Sequence, residues 1–196
     1  MWYMIRHGQT LENKLSIQQG QIDTLLSLKG IVQAQSIGYR LLDFDENFEE
    51  YEFISSPLAR TRHTLQIIIE ILNISNAKII AEPLLINRGK GILEGKFKNQ
   101  IEDIFIKECK EKEKEDWNYI PPEATESRYN AYERILKFID KYKNHKNLII
   151  VSHSGMLKML RETLAGKTFE EIKSNNKLDK NQNYFYRWDE KNIEKF

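Results

Sequence analysis

The chain has 196 residues, 40% hydrophobic and 30% charged, which is enough apolar material for one sizeable core and a single domain over 1–196. With 30 Lys and Arg against 29 Asp and Glu, the formal charge of +1 gives no basis for binding nucleic acid or an anionic membrane. Cys109 is the single cysteine, so no intrachain disulfide forms; no apolar run reaches a bilayer span and no basic leader precedes the first predicted strand, so a cytoplasmic protein is expected.

Residues 2–5 are an apolar run that breaks into Arg6, His7 and Gly8. We read a strand delivering His7 to the end of a sheet, where ligands bind in open α/β folds. Arg6 offers a planar fork of donors suited to phosphate, Gly8 permits close backbone approach to an anion, and the imidazole can serve as acid, base or nucleophile. Asn13 follows in a polar, loop-like stretch; its amide suits a phosphate oxygen or a turn about equally. Ser27 then caps a helix whose apolar positions Ile31, Ala34, Ile37 and Leu41 recur at helical spacing.

Residues 51–55 give a second strand, and residues 58–72 a helix with Arg60 in its first turn, where backbone donors favour an anion. His63 is assigned to the surface or to packing. A third short strand over 78–82 leads into a glycine-punctuated loop. Residues 97–106 read as helical, and the alternating charges of 107–115 as a solvated helix face. We take approximately 88–125 as a small inserted cap, closed by Pro121 and Pro122. A helix then opens at Glu126-Ser127. Residues 147–152 are a continuous apolar run with the character of a buried parallel strand, ending in His153; a helix over 156–164 stops at Gly166, and residues 184–188 form an edge strand. Strands alternating with helices in this order predict an α/β fold, a mostly parallel sheet with helices on both faces.

Several ordered blocks now stand together: Arg6-His7-Gly8-Gln9-Thr10 with Asn13, Gln19-Gly20 with Asp23, Ser55-Ser56-Pro57-Leu58 with Arg60 and Thr64, Glu126-Ser127, and Val151-Ser152-His153. On these the chain resembles the histidine phosphatase superfamily, in its phosphoglycerate mutase-like branch. The resemblance implies a phosphomonoesterase that acts on a small phosphorylated metabolite through a phosphohistidine at His7. Arg6, Asn13, Arg60 and His153 would surround the phosphoryl oxygens, with no metal or other cofactor. Phosphoryl transfer asks the protein mainly for positioning and matched charge, which two arginines and a histidine supply. The expected partner is the small phosphorylated substrate, with neither nucleic acid nor a membrane; oligomeric state is not legible here. The attacking imidazole must be neutral, and a backbone carbonyl on its other nitrogen would fix the tautomer.

One position departs from the family pattern. Aligning Gly91 and Gly95 with the family's glycine-rich turn puts Asn87 where the resemblance expects a glutamate general acid, and an amide has no proton to give at neutral pH. Three accounts stay open. A carboxylate at Glu94, Glu82 or Glu126 supplies the proton, with Glu94 preferred because it lies in the same turn; the leaving group needs little protonation; or the pocket is a catalytically weakened one that binds a phosphorylated ligand in a regulatory role. Phosphoglycerate mutase activity ranks below phosphatase activity, because family mutases usually present paired arginines to a carboxylate and no arginine stands between Arg88 and Arg128. Lys90, Lys96 and Lys98 are the cations that could meet an anionic tail.

Overall fold

The computed structural model describes residues 1–97, 103–175 and 183–196. In chain order the elements are β1 (Trp2–Arg6), α1 (Leu11–Lys14), α2 (Leu28–Leu41), β2 (Glu52–Ser55), α3 (Ala59–Ile71), β3 (Ile79–Ala81), α4 (Ile104–Glu115), α5 (Arg128–Tyr142), β4 (Leu148–Ser152), α6 (Ser154–Leu164), α7 (Phe169–Ser174), β5 (Phe185–Trp188) and β6 (Ile193–Lys195). The strands form one sheet in the order β3-β2-β4-β1-β5-β6, parallel from β3 to β1 and antiparallel over β5 and β6. This is the mostly parallel α/β architecture that the strand-helix alternation predicts.

Side-chain alternation along the strands separates two cores. Trp2 and Met4 of β1 and Leu148 and Ile150 of β4 pack on one face against Ile135, Phe138, Met156 and Leu160 of α5 and α6. Tyr3, Ile5, Ile149 and Val151 pack on the other against Ile37, Leu41, Leu65 and Ile68 of α2 and α3. Both faces of β1 and β4 are therefore dry, which is why their sequences read as unbroken apolar runs. The chain steps outward from β1 to β2 to β3 and then returns to insert β4 between β1 and β2, so β4 ends in the middle of the sheet.

Several features differ from the sequence reading, the first being that residues 11–14, read as loop, form the short helix α1 under a Thr10 capping box. β5 is not the edge strand: Asp189 accepts the Lys191 and Asn192 N–H groups at 3.0 and 2.7 Å and Glu190 takes φ +72°, a tight turn that lays β6 outside it. α4 starts at Ile104 and not at 97, because Asp103 caps it by accepting from Ile106 N–H at 3.1 Å, while Phe97 bridges Ile17. Residues 98–102, including Lys98, lie outside the described residues. α6 begins two residues early, with His153 as its extended N-cap residue. Among the described residues no helix is long and apolar enough to cross a membrane.

Candidate active site

Strand register brings three chain segments to one point. Arg6 pairs with Ser152 and Ser55 with Val151; beyond the strands, His7 N–H still donates to Ser152 O at 3.1 Å and Ser56 N–H to Val151 O at 3.0 Å. His7, Ser56 and His153 thus leave adjacent strands side by side. The two imidazoles lie edge to face, 5.2 Å between centroids, and both are buried.

His7 Nδ1 is 2.8 Å from the Gly8 carbonyl. A carbonyl only accepts, so Nδ1 carries the hydrogen and Nε2 carries the lone pair. Burial, followed by the charges of Arg60 and Arg6, holds the His7 pKa well below the ordinary histidine value, which keeps the ring neutral at pH 7. The loop is locked from behind. Gly8 N–H donates to Thr64 Oγ1 at 3.0 Å, and that hydroxyl donates to Arg60 O at 2.7 Å, joining the two loops. Glycine is required at position 8, since a Cβ there would stand 2.3 Å from the Gly30 carbonyl at the start of α2.

Arg60 is fully buried in the first turn of α3. Its Nη1 donates to Ile22 O at 2.8 Å and its Nη2 to Gly20 O at 2.9 Å, while Nε–H has no partner among the described residues. Burial lowers its pKa to about 10, still cationic at neutral pH. Asp23 takes the place of a side-chain cap on α3, accepting Ala59 N–H at 2.7 Å. His153 Nε2 meets Ser56 Oγ at 2.9 Å, and its buried Nδ1 has no partner. Burial, then Arg60, His7, Arg6 and Arg134, holds its pKa well below the ordinary value. Arg60 and Arg6 lie close enough to both histidines to lower their pKa values, and Arg60 Nε and His153 Nδ1 are buried without partners among the described residues; buried polar groups left this way point to a bound group that completes them.

Asn13 Oδ1 accepts Thr10 N–H at 3.3 Å in the capping box of α1, and its Nδ2 reaches Gln19 Oε1 at 3.5 Å. Asn87 Nδ2 donates to Gly20 O at 2.9 Å, the same carbonyl that holds Arg60. Glu94 Oε1 accepts Gln21 N–H at 2.9 Å and Lys90 N–H at 2.7 Å, which sets it against the same Gly20-Gln21 turn. Glu126 is in a bidentate pair with Arg134, at 2.9 and 2.7 Å. Glu82 is buried and accepts from Lys141 Nζ at 2.6 Å, Tyr142 hydroxyl at 2.8 Å and Leu84 N–H at 3.0 Å. Burial alone would raise its pKa, but Lys141, Leu84 N–H and Tyr142 outweigh this and hold it below the usual range. Among the described residues no cluster of three His, Cys, Asp or Glu side chains has the arrangement of a metal site.

Two groups had no signal in the motif reading. Arg134 of α5 donates from Nη1 to Leu84 O at 2.7 Å and Ile86 O at 3.1 Å, so it clamps the loop that leads to Asn87. Glu113, in the charge run expected to be solvated, is buried and paired with Arg88, Lys90 and Arg128. Its position was readable from spacing: Ile106, Cys109 and Glu113 fall on one helical stripe, the buried one.

The family description "Histidine phosphatase superfamily (branch 1)" matches residues 2–192. The adenosylcobalamin/alpha-ribazole phosphatase of Escherichia coli is 26% identical over 182 residues, covering 87% of this chain and 81% of that protein. A 2,3-bisphosphoglycerate-dependent phosphoglycerate mutase of Beijerinckia indica is 29% identical over 180 residues, covering 87% and 84%. Among solved structures, the alpha-ribazole phosphatase of Shigella flexneri superposes with a TM-score of 0.78 at 25% identity, covering 94% of this chain and 88% of that one.

Proposed function

From the premise that this chain belongs to the histidine phosphatase superfamily (branch 1) and is a hydrolase of that family, we propose that it cleaves a phosphate monoester of a small cytoplasmic metabolite through a phosphohistidine at His7. The observation that carries this reading is the His7 Nδ1 contact to Gly8 O, which leaves the lone pair on Nε2, with the His153 ring 5.2 Å away and the Arg60 and Arg6 charges close enough to lower the His7 pKa. In the first step Nε2 attacks phosphorus and the P–O bond breaks, the ester oxygen leaving with the electron pair; in the second, water attacks the phosphoryl group and the P–N bond breaks, returning neutral His7 and inorganic phosphate, and the proton that water gives up balances the one the leaving oxygen takes from solvent. Arg6, Arg60 Nε–H and His153 Nδ1–H stabilise the charge on the equatorial oxygens. This role needs the hydrogen on His153 Nδ1, and with that tautomer Ser56 Oγ donates to Nε2 across their 2.9 Å contact. Residues 88–125 act as the cap that chooses the rest of the substrate.

A second feature narrows the chemistry. The Asn87 amide donates to Gly20 O, and the carboxylates of Glu94, Glu82 and Glu126 all carry partners. Of the three, Glu94 alone touches the turn that holds Arg60, and it does so by accepting two backbone N–H groups, so it holds the turn rather than serving as a proton donor. Substrates whose leaving group needs little protonation suit this site best.

Phosphate release from p-nitrophenyl phosphate and from glycerol 3-phosphate, with His7→Ala as blank, tests the reading. Turnover of the aryl ester that depends on His7 supports it, and a large deficit on the alkyl ester supports the missing acid. Absence of His7-dependent turnover on both would replace it with a phospho-ligand binding role.

A further inference from the structure

We propose that Glu113 is a specificity-determining residue, a built-in carboxylate seated among Arg88, Lys90 and Arg128 that directs the enzyme to phosphate esters whose leaving group bears no second anion. The proposal deepens the phosphatase reading and rests on it.

Three cations share one carboxylate. Glu113 Oε1 pairs with Arg88 Nη2 and Lys90 Nζ, and lies 3.7 Å from Arg128 Nε, with the Glu113 side chain 4% exposed. Arg88 is itself 5% exposed, and its Nη1 has no partner among the described residues. Buried guanidinium groups at this density are unfavourable unless an anion meets them. The arginines that bracket a stretch without arginine in sequence are brought together in space, and α4 supplies the anion between them.

The location ties this cluster to the phosphoryl site. Arg88 directly follows Asn87, whose amide shares the Gly20 carbonyl with Arg60. Glu94 spans the same interval, accepting from Gln21 N–H on one side and Lys90 N–H on the other. On this proposal a leaving group that extends from His7 past Asn87 meets Arg88, the next residue in the chain, and the cations already matched by Glu113. An uncharged tail is tolerated there, whereas a carboxylate or second phosphate must displace Glu113 or stand against its charge. That is discrimination through a repulsive element as well as an attractive one.

The test uses two alkyl phosphates of similar leaving group, glycerol 3-phosphate and 3-phosphoglycerate, which differ in the carboxylate. Glu113→Gln removes the charge and keeps the shape. The ratio of kcat/KM for 3-phosphoglycerate over glycerol 3-phosphate should rise roughly 10- to 100-fold, the range of one hydrogen bond to a charged group. An unchanged ratio in a folded Glu113→Gln protein overturns the proposal. Should that variant not fold, Glu113→Asp retains the charge and withdraws it by one methylene; the ratio should then rise at least roughly threefold, and no change again overturns it. The same two ligands titrated calorimetrically into His7→Ala, with and without Glu113→Gln, give the ratio as Kd values. A protein that binds with this selectivity but hydrolyses no p-nitrophenyl phosphate would refute the phosphatase reading alone; turnover without any effect of residue 113 on selectivity would refute this proposal alone.

Discussion

Asn87 and Arg60 meet on one oxygen: Asn87 Nδ2 and Arg60 Nη2 each donate to the Gly20 carbonyl at 2.9 Å. The residue at the expected proton-donor position thus helps to fix the arginine beside the nucleophile. A carboxylate at 87 could make this bond only when protonated, so amide and acid are alternative designs for the same turn.

Replacement of Asn87 separates the two designs. Asn87→Glu should raise kcat on glycerol 3-phosphate relative to p-nitrophenyl phosphate by about 10²-fold or more, the low end of what a general acid contributes. Asn87→Ala should instead weaken inhibition by inorganic phosphate about threefold to tenfold, by loosening Arg60 through loss of one hydrogen bond. Equal effects of Asn87→Glu on both esters would show that protonation of the leaving group does not limit the reaction.

Arg60 is the test of the phosphate pocket. Arg60→Met keeps the aliphatic bulk but removes the charge and the hydrogen bonds to Gly20 O and Ile22 O. Phosphate-analogue affinity, measured with vanadate, should fall about 10- to 100-fold. Arg60→Lys restores charge without the planar fork and should recover only part of that loss.

Most of the fold was legible because its signals are local. β1 and β4 are unbroken apolar runs, α2 has Ser27 as its cap, and each junction that carries His7, Arg60 or His153 is a strand giving way to a helix or loop. The charged contacts were less legible, because they join distant parts of the chain. Arg134 is an ordinary helix residue in sequence and becomes a clamp only when α5 packs beside Ile86. Glu113 was hidden by the alternating charges around it, although its spacing from Ile106 and Cys109 marked it as inward. β6 is three residues long and depends on a turn with a glutamate at positive φ, which no propensity argument favours.

Thr64 should prove structural to the site. It accepts Gly8 N–H and donates to Arg60 O, both in the buried interior. Thr64→Val leaves that N–H unsatisfied and should cost about 1–3 kcal/mol in denaturant unfolding. Thr64→Ser keeps the hydroxyl and should lose less than half as much; equal losses in the two variants would mean that packing, not the hydrogen bond, matters here.

Two buried neutral histidines make stability fall with acid. His7 and His153 both titrate well below their ordinary value when folded, so below about pH 6.5 the unfolded chain binds more protons. Stability is fully present above that pH and is lost as pH falls toward the folded-state values, each histidine adding up to about 1.4 kcal/mol per pH unit to the slope. His153→Asn should flatten the acid side of the unfolding free-energy profile. An unaltered slope would place the acid sensitivity in other groups.

The phosphoenzyme is the most direct test of the account. Enzyme quenched in alkali during steady turnover of p-nitrophenyl phosphate, then digested and mapped by mass, should carry a phosphoryl group on His7, and none should be found in His7→Ala, which should not turn over. Steady turnover with His7 unmodified, or undiminished turnover by His7→Ala, would contradict it.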